Sequence, residues 1–290
     1  MAAPEPSVRL VSATVVERPL TEGELWARAE LERLRATRFS PRAVSGFLAA
    51  SSRRAGEVRR ARPALARQYR VWLGAGAGAW CALALAWRQP FRRRFAAGLG
   101  WWGTVGIMLD WHLGMLESED GRPRPLGPAD ALTLGRAWLV PVIADDLQPA
   151  ALLLAAATDV LDGMAARATE PTRAGRDLEG LVDASVFMAA LVTAGRTHRL
   201  ARITVALETG RLAAGFGYAV LVYLAQADAP DPAVTRAARI TTPLRVAGLI
   251  AAGAGRRRWA DALVATGSLA SLAVLARSAL RGPGPPAGQR

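Results

Sequence analysis

Apolar runs rich in Ala, Leu, Val and Gly recur along this chain, and clusters of Arg separate them. The runs fall at about 71–87, 95–116, 131–144, 149–161, 179–194, 203–225, 240–254 and 259–276. Spaced apolar stretches with basic flanks predict an all-α fold, a polytopic membrane helix bundle. Several runs are short. A helix of 14 residues reaches only about 21 Å, against a hydrocarbon core of about 30 Å. Such helices must extend into flanking polar residues, or the bilayer must thin. The fourth run is expected to continue as helix to Arg167, which repairs its length.

Composition alone leaves the compartment open, because a soluble domain also reaches 51% hydrophobic residues. The net charge of +13, carried by 37 Arg and no Lys, suits either nucleic acid or an anionic membrane surface. The Arg clusters flank apolar runs, which favours membrane lipids and argues against a nucleic-acid partner. Residues 1–70 hold 14 Arg and form a basic N-terminal extension, partly helical. Within it, residues 1–20 read as loosely extended, with no secretory signal peptide: Glu5, Arg9, Glu17 and Arg18 interrupt any apolar core. Thr21 and Glu24 form a capping box that opens a helix from about 22 to 38, either solvated or lying on the membrane. Arg53 to Arg70 suit a juxtamembrane polybasic segment. Residues 71–128 then hold about two apolar helices, 129–280 six more, and 281–290 a disordered tail rich in Gly and Pro. Eight crossings put both termini on one side. If that side is cytoplasmic, Arg92–Arg94 and Arg256–Arg258 face outward, against the positive-inside rule, unless some runs are re-entrant.

Cys81 is alone, which excludes a disulfide framework and a thiolate metal site. His112 and His198 share no ligand spacing and read as interfacial or packing residues. Trp101, Trp102 and Trp111 suit interfacial anchors. Gly74, Gly76, Gly78, Gly210, Gly215, Gly217 and Gly248 either allow close helix contact or are simply tolerated in membrane helices.

The chemistry concentrates between two apolar runs. Asp159 and Asp162 are three apart, and Glu179 and Asp183 four apart, so on helices each pair shares a face. Four acids brought together in an oily, basic chain need a counter-charge. Carboxylate oxygens are hard ligands, suited to Mg²⁺ or Mn²⁺ rather than zinc. Gly163 permits close backbone approach, and Arg167 offers a planar fork to phosphate oxygens. Together they suggest a phosphate-bearing substrate held through metal. The plainer alternative is a polar loop whose acids balance nearby Arg.

This constellation resembles the signature of the CDP-alcohol phosphatidyltransferase family, D-x-x-D-G-x-x-A-R, eight residues, G-x-x-x-D-x-x-x-D. Asp159, Asp162, Gly163, Ala166 and Arg167 match at the family spacing, as do Gly175 and Asp183 to each other. Two departures stand out. Seven residues, not eight, separate Arg167 from Gly175, and Glu179 replaces the third Asp. Upstream, Asp130, Thr133, Arg136 and Pro141 resemble the family's N-x-x-T-x-x-R followed by Pro, with Asp for Asn. The resemblance covers roughly residues 130 to 280.

The resemblance implies transfer of a phosphatidyl or similar phospho-alcohol group. A CDP-linked lipid such as CDP-diacylglycerol is the donor, an alcohol or phosphorylated alcohol the acceptor, and CMP the leaving group. Metal ligands are then Asp159, Asp162, Glu179 and Asp183, with Asp183 also the base. Gly163, Ala166, Arg167 and Gly175 line the cytidine-diphosphate pocket. Thr133, Arg136 and Arg239 join the substrate-binding set, with Arg211 a further cation for an anionic acceptor. The enzyme would be integral to the cell membrane with its site at the cytoplasmic face, and a homodimer is compatible with it. Two rivals remain: a catalytically impaired relative that binds CDP-lipid or metal, and an Arg-rich membrane-associated scaffold or nucleic-acid binder.

Overall fold

The computed structural model describes residues 20–118, 120–169, 172–222 and 231–281; for Ala166, Arg167, Thr169, Arg173 and Arg281 it describes the backbone alone. The expectations for residues 1–19 and for the tail from 282 lie outside the described residues. Eleven α-helices account for nearly all the rest, with no named strand among the described residues. They are α1 (Glu22–Ala36), α2 (Pro41–Ala61), α3 (Pro63–Ala86), α4 (Phe95–His112), α5 (Pro128–Ala137), α6 (Leu139–Asp145), α7 (Pro149–Thr169), α8 (Arg173–Arg196), α9 (Arg202–Ala219), α10 (Pro232–Gly253) and α11 (Arg257–Arg281).

Local chemistry sets the helix ends. In α1 the Thr21 side chain accepts from the Glu24 N–H at 3.3 Å, and Glu24 accepts from the Thr21 N–H at 3.1 Å. Pro at the first position opens α2, α3, α5, α7 and α10, where its missing N–H has no helical partner to lose. The run 131–144 does not form one helix. Pro141 has no N–H to offer the carbonyl of Ala137, and its ring crowds that oxygen. The chain breaks at Trp138 into α5 and α6, and the freed Ala137 oxygen accepts from the Trp101 indole at 2.8 Å. Trp101 thereby satisfies the oxygen that the helix break leaves free. Trp102 is likewise buried, donating to the Leu73 oxygen at 2.9 Å, and Trp111 donates to Ser52.

Helix α8 is the spine. It packs on α4, α5, α6, α9 and α10, and its side chains enter both apolar cores. Leu178 and Val182 meet Leu109 and Leu134 in one; Ala190 and Leu191 meet Ile143, Leu152, Leu249 and Val264 in the other. Val186 packs against both. The N-terminal hairpin α1–α2 is held together by Arg54 over Trp26 and tied to the bundle through Arg59–Asp110 and through α2 against α4. His112 caps α4 through the Met108 oxygen and stands 3.7 Å from Asp177.

Each of the eight apolar runs falls largely on helix; Trp87, Leu116, Trp138 and Ala254 lie between helices, and residues 223–225 lie outside the described set. Among the described residues three helices are long and apolar enough to cross a membrane unaided: Ala174–Arg196, Arg202–Val222 and Arg257–Leu280. The others are diluted, α4 by four glycines, α7 by its acids and α10 by Arg236, Arg239 and Arg245. The 21 residues of α7 nonetheless reach about 31 Å, enough for the hydrocarbon core. The chain is thus an all-α membrane bundle.

Two of the seven glycines expected at close contacts are there for want of space. A Cβ on Gly76 would strike the Trp102 ring at 2.2 Å. One on Gly248 would lie 3.0 Å from the Val264 nitrogen and 3.1 Å from the Ala260 oxygen, where α10 crosses α11. At Gly74, Gly78, Gly210 and Gly217 a Cβ would meet nothing within 4 Å. Gly248→Ala should therefore cost about 1–3 kcal/mol by overpacking against backbone. Gly210→Ala should leave the thermal midpoint in detergent unchanged or slightly raised. Equal midpoints for the two variants would refute the close crossing.

Candidate active site

Three helices converge on the acids. Helix α5 presents Asp130, Thr133 and Arg136, three apart, along one side, and it packs on both α7 and α8. Helix α7 brings Asp159 and Asp162; α8 brings Gly175, Glu179 and Asp183. Thr172 caps α8 by accepting from the Gly175 N–H at 3.0 Å. That cap fixes where α8 starts, and with it the height of Glu179 and Asp183, just after the shortened linker.

Arg136 lies at the centre, 1% exposed. Its guanidinium pairs with Asp159 and Asp162 and, at 2.9 Å, with Asp183. Asp162 is equally deep, at 3% exposed, and accepts from the Thr133 hydroxyl at 3.1 Å. The other Asp162 oxygen, Oδ1, is buried with no hydrogen-bond partner, and so is the Arg136 Nε. Carboxylate oxygens of Asp159, Asp162 and Glu179 all lie within 4.8 Å of one another. Asp183 stands outside that triad and joins it through Arg136.

These residues fit a divalent cation. The donors are hard oxygens from two facing helices, and Asp162 Oδ1 is a buried carboxylate oxygen that nothing in the protein satisfies. The sequence-based ligand set of four therefore divides. Three acids form the ion-sized cluster, and Asp183 is set beside it on the next turn of α8.

Two cavities flank the cluster. One, of about 310 Å³, is walled by Arg124, Gly127, Asp130, Thr133, Asp162, Gly175 and Glu179. The second, of about 340 Å³, has Arg136, Asp159 and Asp183 at its polar edge; its body is Leu152, Ala156, Val186, Phe187, Pro243 and Val246. The acids thus stand between a more polar chamber, whose charged and hydroxyl groups sit beside Pro125, Leu126 and Pro128, and an almost wholly apolar one. Gly175 keeps the polar chamber open, since a Cβ there would stand 3.2 Å from Asp130 Oδ1 and 3.0 Å from Thr172 Oγ1. Asp130 itself accepts from the Gly127 N–H at 2.7 Å, so the Asp that replaces Asn here caps α5.

Other expected residues fare differently. Gly163 continues α7 beyond Asp162; the side chains of Ala166 and Arg167 lie outside the described residues. Arg239 is exposed on α10 and lines neither cavity beside the acids. Arg211 is held by Glu208 at 2.7 Å. The buried cation of α10 is instead Arg245, which donates to Glu208 at 3.0 Å and to Thr242 at 2.8 Å, and stacks 5.5 Å from the Phe187 ring. Glu208 is fully buried and also accepts from Ser268. Sequence reasoning passed over this pair, although an ionisable residue inside an apolar run is a functional signal in its own right. Glu208 is the lone acid of the run 203–225, and Arg245 the lone cation of 240–254 after its first turn.

The family model for CDP-alcohol phosphatidyltransferases matches residues 127–275, which span α5 to α11 and contain every acid of the cluster. Neither the curated proteins nor the solved structures contain a significant match. With half of its length matched, and with the matched half carrying the acid cluster, the chain belongs to the CDP-alcohol phosphatidyltransferase family.

Proposed function

We propose that the protein transfers a phosphatidyl, or related phospho-alcohol, group from a CDP-linked lipid to a hydroxyl acceptor in phospholipid biosynthesis, releasing CMP. The observation that carries this reading is the partition of acids between a polar and an apolar chamber. A CDP-lipid is polar at one end and apolar at the other, with its diphosphate between. The cytidine end suits the chamber lined by Thr133, Gly175 and Glu179, and the acyl end suits the one lined by Val186, Phe187 and Val246. The diphosphate then lies against the acids. A cytoplasmic position for this site goes with the proposal, since CDP-linked donors are made on that side.

Asp159, Asp162 and Glu179 would hold Mg²⁺ or Mn²⁺, which when bound supplies charge to neutralise the diphosphate and stabilise the departing phosphate. Thr133 fixes the orientation of Asp162 by its hydrogen bond. Asp183, adjacent to the cluster but outside the triad, takes the proton of the acceptor hydroxyl. The acceptor oxygen then bonds to the lipid-bearing phosphorus, the P–O bond to CMP breaks, and CMP leaves with that bond's electron pair. Gly163, Ala166 and Arg167 extend the donor side of the site. Arg239 remains a candidate for an anionic acceptor approaching from outside.

The second reading, a relative that binds donor without turnover, draws on Glu179 and on the arginine lodged among the acids. Incubation of the purified protein with CDP-diacylglycerol, Mg²⁺ or Mn²⁺ and a panel of alcohols and alcohol phosphates separates the two. CMP release is expected, abolished by EDTA and restored by either ion; turnover in chelator would exclude the metal site. Asp183→Asn should lower turnover by about 10²–10⁴-fold with donor binding partly retained. Near-normal turnover would remove Asp183 from the base role. Glu179→Gln should lose activity much as Asp162→Asn does, whereas Glu179→Asp should be tolerated. A fully active Glu179→Gln protein would show that this residue holds no ion.

A further inference from the structure

We propose that Arg136 is an internal counter-ion that competes with the divalent cation for the same carboxylates, and so sets how tightly the site holds metal. This rests on the reading of Asp159, Asp162 and Glu179 as metal ligands. One guanidinium, reaching in from α5, contacts acids on both α7 and α8: Asp159, Asp162 and Asp183. It lies inside the acid set at 1% exposure, so it is neither a snorkelling residue nor open to an acceptor in the aqueous phase.

Its fit is incomplete in a particular way. Asp162 Oδ1 and Arg136 Nε are both buried and both unpaired. A buried polar atom without a partner is costly, and a cation brought to Asp162 Oδ1 would remove that cost. The same cation would stand close to the guanidinium in a poorly screened setting, where like charges repel strongly. Arg136 must then loosen its hold. It has space to do so, because it also borders the apolar chamber of about 340 Å³. Arg136 thus keeps mutually repelling carboxylates together when no ion is bound, and opposes the ion when it arrives. It acts through the acids and is a positioning residue.

The consequence runs opposite to that of a merely structural arginine. Removing a scaffold residue should disorganise the acids and weaken metal binding; removing a competitor should strengthen it. The test uses the full chain purified in detergent and stripped with EDTA. Mn²⁺ is titrated into wild type, Arg136→Gln and Arg136→Lys, with free Mn²⁺ read by electron paramagnetic resonance and thermal midpoints measured with and without the ion. Arg136→Gln should bind Mn²⁺ at least about tenfold more tightly, melt lower than wild type without metal, and gain more from Mn²⁺. Arg136→Lys keeps the charge but loses the fork and should fall between the two. It carries the comparison if the Gln variant does not fold. Unchanged or weaker Mn²⁺ binding in the variants, beside saturable binding in wild type, overturns the competition. Absence of saturable binding in wild type and both variants removes the metal reading itself, and the proposal with it.

Discussion

Everything at the centre of this bundle is arranged around one buried cation. Arg136 draws Asp159, Asp162 and Asp183 from two helices onto a single guanidinium. Without it, those acids and Glu179 would repel one another, most strongly at the buried Asp162 and less at Asp159 and Asp183, whose side chains are nearly half exposed. Breaking one side of a buried ion pair typically costs about 3–5 kcal/mol, because a charge is left uncompensated. The approach of α5 to α7 and α8 is therefore electrostatic at its core and apolar at its edges, where Leu134 and Ala137 pack on Leu178 and Val182.

The same interaction accounts for the two chambers. Helix α8 carries apolar side chains into both cores, but its acids interrupt that surface at Glu179 and Asp183. Side chains on either side of the interruption cannot close over it, because the acids, Thr133 and Arg136 must satisfy one another instead. What is left is a polar space toward Gly127 and Gly175 and an apolar one toward Val186 and Phe187. A substrate with a charged middle and dissimilar ends matches such a shape better than a uniformly polar or uniformly apolar one.

Much of this was legible in the residues. Apolar runs marked the bundle helices, with one run covering both α5 and α6, because burial in an apolar setting selects such residues, and Thr21 with Glu24 marked the start of α1 because a cap is a local device. The acid motif was legible because its spacing is tied to two helix faces. Long-range geometry was not. The break at Trp138 depends on Pro141 and on a Trp101 indole that arrives from another helix to take the Ala137 oxygen. Gly76 and Gly248 differ from Gly74 and Gly210 only in what lies opposite, which no single sequence records. Arg136 read as one of the substrate-binding residues, since nothing in its spacing tells that three acids from elsewhere will meet on it. Arg245 and Glu208 were passed over for the same reason, being 37 residues apart.

These pairings also bear on how α7 and α10 can lie in a bilayer despite their charges. Hydropathy counts Asp159, Asp162 and Arg245 as if each faced lipid alone, where a charged side chain costs about 2.5–3.5 kcal/mol or more at the helix centre. In the bundle Asp162 meets Arg136, and Arg245 meets Glu208, Thr242 and the face of Phe187. Val160, Leu161 and Met164 on α7 and Ile240 on α10 are exposed apolar side chains nearby. A helix that turns Asp162 or Arg245 inward to partners and apolar side chains outward is a membrane helix in context, although its composition alone falls short and Asp159, Arg236 and Arg239 stay exposed. The three helices that pass on composition, α8, α9 and α11, then serve as the frame against which the charged pair α7 and α10 is held. Of these three, α8 and α9 also carry the partner acids Asp183 and Glu208 inward. Charge burial and membrane insertion are accordingly one problem in this chain, met by the same arginine–carboxylate contacts.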